Sequence, residues 1–203
     1  MLKLENVSKK FGKRVIFEDV NLEFNSGDLV HFFGENGSGK STLFKIITDI
    51  MTPTSGRVII EDGKRIGAVI ENPGFIESET ILYNLKYLYS LVNEYNEEAE
   101  TRISKLCKMF HLDLYNPEKI KNYSVGMRQK VAIIQAIMEE QDIILLDEPT
   151  RGLDVEGVEE FFKIIKEYSL NKKKVIIIAS HDLMDKLPYN RMLEIKECKI
   201  YEK

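Results

Sequence analysis

Apolar and polar positions alternate along the first stretch of the chain. Leu2, Leu4 and Val7 begin the pattern, Val15 and Phe17 continue it, and Val20, Leu22 and Phe24 close it, with Gly12 as a turn signal. A period of two places alternate side chains on one face, which predicts antiparallel sheet over residues 2–25. Asn25-Ser26-Gly27-Asp28 reads as a turn. The pattern then becomes a strand-like apolar run, Leu29-Val30-His31-Phe32-Phe33. After a glycine-rich interval comes a helical one, Leu43-Phe44-Lys45-Ile46-Ile47. Thr52 to Gly56 are expected to end the helix that begins at Lys40. Short strands are expected at 57–60 and 66–70, and Glu71-Asn72-Pro73-Gly74-Phe75 is a loop by its Pro-Gly pair.

From Ser78 the period lengthens. Ile81, Leu82, Leu85, Leu88, Tyr89 and Val92 form one helical face, with Ser78 as candidate N-cap. Asn96 is placed to cap a second helix with Glu97 and Glu98 in its first turn and Ala99, Ile103, Leu106 and Phe110 inward. A third helix opens at Ser124-Val125-Gly126, with Val131, Ile134 and Ile137 inward. Ile143 to Leu146 and Val175 to Ala179 are solid aliphatic runs of strand length, the mark of strands buried on both faces in a parallel sheet. A helix bearing Val158, Phe161, Phe162 and Ile165 separates them, and edge-like strands are expected at about 191–195 and 198–201. The predicted fold is α/β: a mostly parallel sheet, an N-terminal antiparallel β subdomain, and an α-helical subdomain over about 75–140 inserted between 1–74 and 141–203. The 203 residues, 43% of them hydrophobic, suit a single domain built this way.

Composition narrows the partners. The net charge is −4 and the pI about 5.6, with lysines scattered among glutamates, so no basic stripe offers itself to nucleic acid. Cys107 and Cys198 have no metal-site spacing and read as reduced cytosolic thiols. Met1-Leu2-Lys3-Leu4-Glu5 carries an early acid and no long apolar region, unlike a signal peptide. The longest apolar runs fall far short of the roughly 20 residues a membrane span needs. The expectation is a soluble, cytoplasmic chain that meets a membrane only through a partner.

The chemistry centres on Gly34-Glu35-Asn36-Gly37-Ser38-Gly39-Lys40-Ser41-Thr42, which fits G-x-x-x-x-G-K-[ST] between a predicted strand and a predicted helix. The glycines let successive N–H groups turn inward on an anion, and the helix N-terminus adds partial positive charge. Lys40 is placed to reach β- and γ-phosphates, and the Ser41 hydroxyl to bind Mg²⁺. Asp147 and Glu148 end one buried strand and His181 another, and in open parallel sheets ligands lie beyond those strand ends. Phosphoryl transfer needs such a set. Ser41 and Asp147 give a hard cation its oxygens, Glu148 can polarise water, and His181 can hydrogen-bond the γ-phosphate.

Taken in order, these motifs resemble the ATP-binding cassette family, the ATPase subunits of ABC transporters, over essentially the whole chain. Gly34 to Thr42 is similar to the Walker A loop, Ile143 to Glu148 to Walker B with its catalytic glutamate, Gly152-Leu153-Asp154 to the D-loop, and His181 to the switch histidine. Phe11 stands at the A-loop position, where the resemblance implies stacking on adenine; a core aromatic at a strand end is the alternative. Ser124-Val125-Gly126-Met127-Arg128 lies where the family usually carries Ser-Gly-Gly-Gln, a segment that contacts the opposite subunit's ATP; Val125 and Met127 depart from that pattern. Glu71 replaces the family's usual glutamine, offering a charged oxygen and no N–H donor, and it either binds Mg²⁺ or faces solvent. Residues 70–75 are similar to bacterial ABC subunits that export, or confer immunity to, peptide antibiotics such as lantibiotics and bacitracin.

The resemblance implies an ATPase that uses ATP and Mg²⁺ and pairs as an ATP-dependent head-to-tail homodimer. It would sit at the cytoplasmic face of the membrane beneath separate transmembrane permease subunits, with their groove near Phe75, Ile76 and the helix after Ser78; a buried anchor of the helical subdomain is the alternative for Phe75. Glu148, His181 and Glu71 would be catalytic. Phe11, Gly34 to Thr42, Ser124, Gly126 and Asp154 would contact nucleotide, and Ser41, Asp147 and Glu71 the metal. Two other readings compete. A DNA-repair ATPase of this family needs long coiled coils, whereas residues 42–124 hold only about two short helices by periodicity. An ATP sensor that gates a membrane partner without turnover is the second.

Overall fold

The computed structural model describes residues 1–71, 74–181 and 186–203. In chain order, strands β1 (Leu2–Phe11), β2 (Arg14–Phe24) and β3 (Leu29–Phe33) lead into helix α1 (Lys40–Ile47). Strands β4 (Ser55–Ile60) and β5 (Ile66–Val69) follow, then helices α2 (Ile81–Ser90), α3 (Glu97–Met109) and α4 (Val125–Ile137). The chain ends through β6 (Ile143–Asp147), α5 (Val155–Leu170), β7 (Val175–Ser180), β8 (Arg191–Lys196) and β9 (Lys199–Glu202). A three-stranded antiparallel sheet has the order β2-β1-β4, and a six-stranded sheet the order β5-β6-β7-β3-β8-β9, parallel except at β9. The expected α/β architecture is therefore present. The loop position Asn72-Pro73 and Asp182 lie outside the described residues.

Every residue of β6 and β7 is buried, because each strand faces apolar layers on both sides. The pleat divides their side chains. Ile144, Leu146, Ile176 and Ile178 join the cluster packed under α2 to α5, while Ile143, Leu145, Val175, Ile177 and Ala179 join Val30, Phe32, α1 and the antiparallel sheet. Truncating any one of the Ile or Leu side chains among these to alanine costs about 2–5 kcal/mol. The β3 run is not wholly apolar in effect. His31 is buried with Nε2 2.8 Å from Ser180 Oγ, and its ring stacks on Tyr189 at 4.9 Å, so its polarity is answered within the core.

Local chemistry sets the helix ends. Asn96 caps α3 by accepting from Ala99 N–H at 2.9 Å, and Glu97, Glu98 and Glu100 complement the dipole as expected. Ser124 caps α4 by accepting from Met127 N–H at 3.1 Å. The α2 cap is Thr80 rather than Ser78. The buried side chain of Asn84 binds both the N–H and the C=O of Ile76 and the C=O of Thr80, fastening residues 76–80 as a turn, so the helix can only begin after it. Val92, expected inward, is 68% exposed because α2 stops at Ser90. Helix α1 ends at Ile47, well before Thr52. Asp49 takes a left-handed conformation (φ 59°), and the carbonyls of Phe44, Lys45 and Ile46 are claimed by the N–H groups of Thr48, Met51 and Asp49. Phe75 is buried in the helical-side cluster, so it anchors the loop instead of presenting a ring to a partner.

One contact tests how tightly α4 is seated on the sheet. A Cβ at Gly67 in β5 would lie 1.8 Å from the backbone oxygen of Ala136. Gly67→Ala must therefore push the helix off the strand, and a destabilisation of about 1–3 kcal/mol is expected in urea unfolding. A midpoint equal to that of the unmutated protein would show that the contact is slack.

Candidate active site

The site begins where β3 delivers the chain to α1. Gly39 occupies the N-cap position with φ 115°, and a Cβ there would lie 2.5 Å from Ile16 Cγ2, so both backbone and space demand glycine. No side chain caps α1, which leaves its first-turn N–H groups directed at whatever occupies the loop. Lys40 is buried and its Nζ donates to the carbonyls of Gly34 (2.6 Å) and Glu35 (3.2 Å). Burial pulls its pKa down, partly offset by the charges of Glu148 and Asp147.

Asp147 closes β6 and is buried. Burial pushes its carboxyl above the ordinary range. A hydrogen bond with Ser41 opposes that shift, Glu148 reinforces it, Lys40 opposes it, and Glu71 adds to the rise. Its Oδ1 is buried without a hydrogen-bond partner among the described residues, as is Oε1 of Glu148. The next residue, Glu148, sits at φ 47°, sparsely populated for a side-chain-bearing residue. Its N–H donates to Ala179 O (2.8 Å), and its Oε2 lies 3.0 Å from Nδ1 of His181 at the tip of β7. The pairing of β6 with β7 thus sets the acid and the imidazole side by side.

A cavity of about 860 Å³ joins Lys40, Asp147 and Glu148, while His181 is outside its lining. It runs from Phe11 past Asn36, Gly37, Gly39, Lys40, Ser41 and Thr42 to Glu71, Asp147 and Glu148. Phe11 is 49% exposed at its lip, not a core aromatic. Gly34, Glu35 and Ser38 instead line a second hollow of about 590 Å³ behind the loop. Ser124, Gly126 and Asp154 lie outside the cavity lining. The Asp154 carboxylate caps α5 through Gly157 N–H at 2.8 Å, a bond that holds it below the usual carboxylate range. Gly126 packs so closely on the loop between β6 and α5 that a Cβ would meet Gly152 O at 2.5 Å. Beside it, Gln129 Nε2 donates to Pro149 O (3.1 Å) and Lys130 Nζ lies 3.7 Å from Asp154 Oδ1.

Among the described residues no group of three or more His, Cys, Asp or Glu is arranged to hold a metal. A hard cation would take the Ser41 hydroxyl and the unpartnered Asp147 oxygen, completing its shell with phosphate and water, as Mg²⁺ prefers. Sequence reasoning missed Arg14, Gln129 and Arg151 on the cavity wall, and Lys45, whose Nζ is 2.6 Å from Oε1 of Glu71. Only Lys45 had a readable signal: it is four residues after Ser41 and therefore shares its helix face. Among the described residues, no helix is long and apolar enough to cross a membrane.

The geometry agrees with what the chain is similar to. The ABC transporter family profile matches residues 17–151, more than half of the chain. The lantibiotic transport ATP-binding protein SrtF of Streptococcus pyogenes is 32% identical over 192 residues, covering 91% of this chain and 82% of the relative. The bacitracin transport ATP-binding protein BcrA of Bacillus licheniformis is 28% identical over 91% of this chain and 63% of its own length. The dimeric ATP-binding cassette MJ0796, solved in a post-hydrolysis state with ADP and Pi, superposes with a TM-score of 0.86 at 28% identity, over 100% of this chain and 98% of that one.

The buried acid yields a signed prediction. Because the folded pKa of Asp147 lies above the unfolded value, the native state holds more protons between the two. Stability from this group therefore falls as pH rises through that window, and above it the charge is a net cost. Asp147→Asn should raise the unfolding midpoint at neutral pH in metal-free buffer by about 2–4 °C. The same change should abolish any further rise on adding Mg²⁺ and ATP. Differential scanning calorimetry checks both, and an unchanged or lowered metal-free midpoint would refute the burial argument.

Proposed function

The chain belongs to the ABC transporter family, and from that premise we propose how this ATP-binding, ATP-hydrolysing transporter subunit uses its residues. Two copies pair head to tail. Each ATP is held by the Lys40 loop of one copy and by the Ser124 and Gly126 end of α4 in the other. The exposed side chain of Val125, 71% accessible, lies at that end and gives a partner copy apolar surface to cover. The substitution of Val125 for the family's usual glycine leaves the serine cap and the Gly126 amide in place.

The observation that carries the reading is Glu148 on the wall of the phosphate-loop cavity, with His181 Nδ1 3.0 Å from its Oε2. Glu148 orients and polarises a water whose oxygen bonds to the γ-phosphorus as the bond to the ADP oxygen breaks. His181 holds Glu148 and the γ-phosphate oxygen in register. Mg²⁺, when bound at Ser41 and Asp147, offsets phosphate charge. Loss of γ-phosphate contacts then opens the pair, a known form of two-state switch. A complete hydrolytic set favours turnover over a passive sensor.

Residues 75–140 act as the helical unit that passes this opening to separate membrane subunits at the cytoplasmic face. Support comes from the outer face of α2, where Tyr83 and Tyr87 stack at 6.4 Å, with Leu91 exposed at its C-cap and Ile76 exposed in the turn before it. Names of relatives, with the loop at 70–75, favour export of a peptide antibiotic as the work done.

Glu148→Gln keeps the shape and removes the charge. Phosphate release should fall by about 10²–10⁴-fold while ATP binding persists and a dimer accumulates on size-exclusion chromatography with ATP. Activity near that of the unmutated protein would reject Glu148 as the group acting on water.

A further inference from the structure

Glu71 stands at the edge of the nucleotide cavity with a charge that its family position does not usually carry, and the structure supplies that charge with a counter-ion. Helix α1 opens at Lys40, so Ser41 and Lys45, four residues apart, project from one face. The turn that brings the Ser41 hydroxyl to Asp147 therefore brings the Lys45 ammonium to Glu71, with Nζ 2.6 Å from Oε1. Glu71 reaches this position from a left-handed backbone, φ 58°, which costs a side-chain-bearing residue energy and turns its carboxylate toward the cavity. The carboxylate is electrostatically felt at the metal-binding acid, since it helps to raise Asp147.

We propose that Lys45 is a positioning residue for Glu71, which it holds as an exchangeable ion pair, so that Mg²⁺ must compete with Lys45 for the Glu71 carboxylate. This rests on the ATPase reading above. Three carboxylates, Glu71, Asp147 and Glu148, border the path of a polyanionic phosphate tail. While Lys45 is engaged, the Glu71 charge is neutralised and does not repel that tail. The Lys45 side chain is 23% exposed and that of Glu71 61%, so water and salt weaken the pair. It is accordingly a partner that a divalent ion can displace. Once displaced, the carboxylate becomes an additional oxygen near the metal. The family's glutamine, being neutral, needs no such counter-ion.

The test is a double-mutant cycle read by Mg²⁺ titration of binding, with a fluorescent ATP analogue and the full chain. Lys45→Met should lower the half-saturating Mg²⁺ concentration about tenfold. The same substitution made together with Glu71→Gln should move it less than about twofold relative to Glu71→Gln alone. Equal shifts in the two backgrounds would overturn the proposal, because Lys45 would then act as a charge on the site without regard to Glu71. No shift in either would overturn it too, leaving an idle surface pair. Unfolding midpoints without nucleotide verify that each variant is folded, and Lys45→Gln replaces Lys45→Met if the latter is not. Absence of Mg²⁺-dependent nucleotide binding by the unmutated protein would instead be a failure of the ATPase reading itself.

Discussion

Burial of β6 and β7 on both faces governs where chemistry can occur in this protein. A strand sandwiched between apolar layers has no side on which to carry a charge, so its acids and imidazole gather at the C-terminal tips, where the layers end. Parallel pairing then aligns the tips. Leu146 lies opposite Ile178 and Asp147 opposite Ala179, which leaves Glu148 as the first residue beyond the ladder on β6 and His181 as the second, after Ser180, on β7. Their 3.0 Å approach follows from register. The phosphate loop arrives at the same end because β3 pairs with the other side of β7.

Electrostatics at that end is unfavourable by construction. Asp147 is buried beside Glu148, and Lys40 is itself partly desolvated. Polar atoms of Asp147 and Glu148 remain without partners among the described residues. A structure optimised only for stability would not hold such groups together. Groups that conflict in this way around an open cavity mark it as a functional site rather than a structural one.

Much of this was legible in the residues because local rules suffice for it. Glycine spacing located the turn from β3 into α1, solid aliphatic runs located the buried strands, and Asn96 and Ser124 announced their helices by composition. What was missed depends on distant partners. Thr80 replaces Ser78 as a cap only because Asn84, eight residues after Ile76, ties down the preceding turn. The early end of α1 depends on the left-handed turn at Asp49, which nothing in the aliphatic pattern marks. Gln129 meets Pro149 across 20 residues of sequence, and Lys45 meets Glu71 across 26. Periodicity reports which face of a helix is apolar; it carries no information about which polar side chain on the other face finds a partner.

The close approach of Gly126 to Gly152 has a mechanical meaning. With a carbonyl where even a methyl would need to be, the start of α4 and the loop beyond Glu148 cannot shear past each other, and Gln129 and Lys130 bolt the same joint on its flank. A push delivered to that helix end by a neighbouring molecule is therefore passed to the loop after Glu148, through backbone at Gly152 and through the Gln129 side chain at Pro149. The joint works as a bearing with no play, and glycine is the part that removes the clearance.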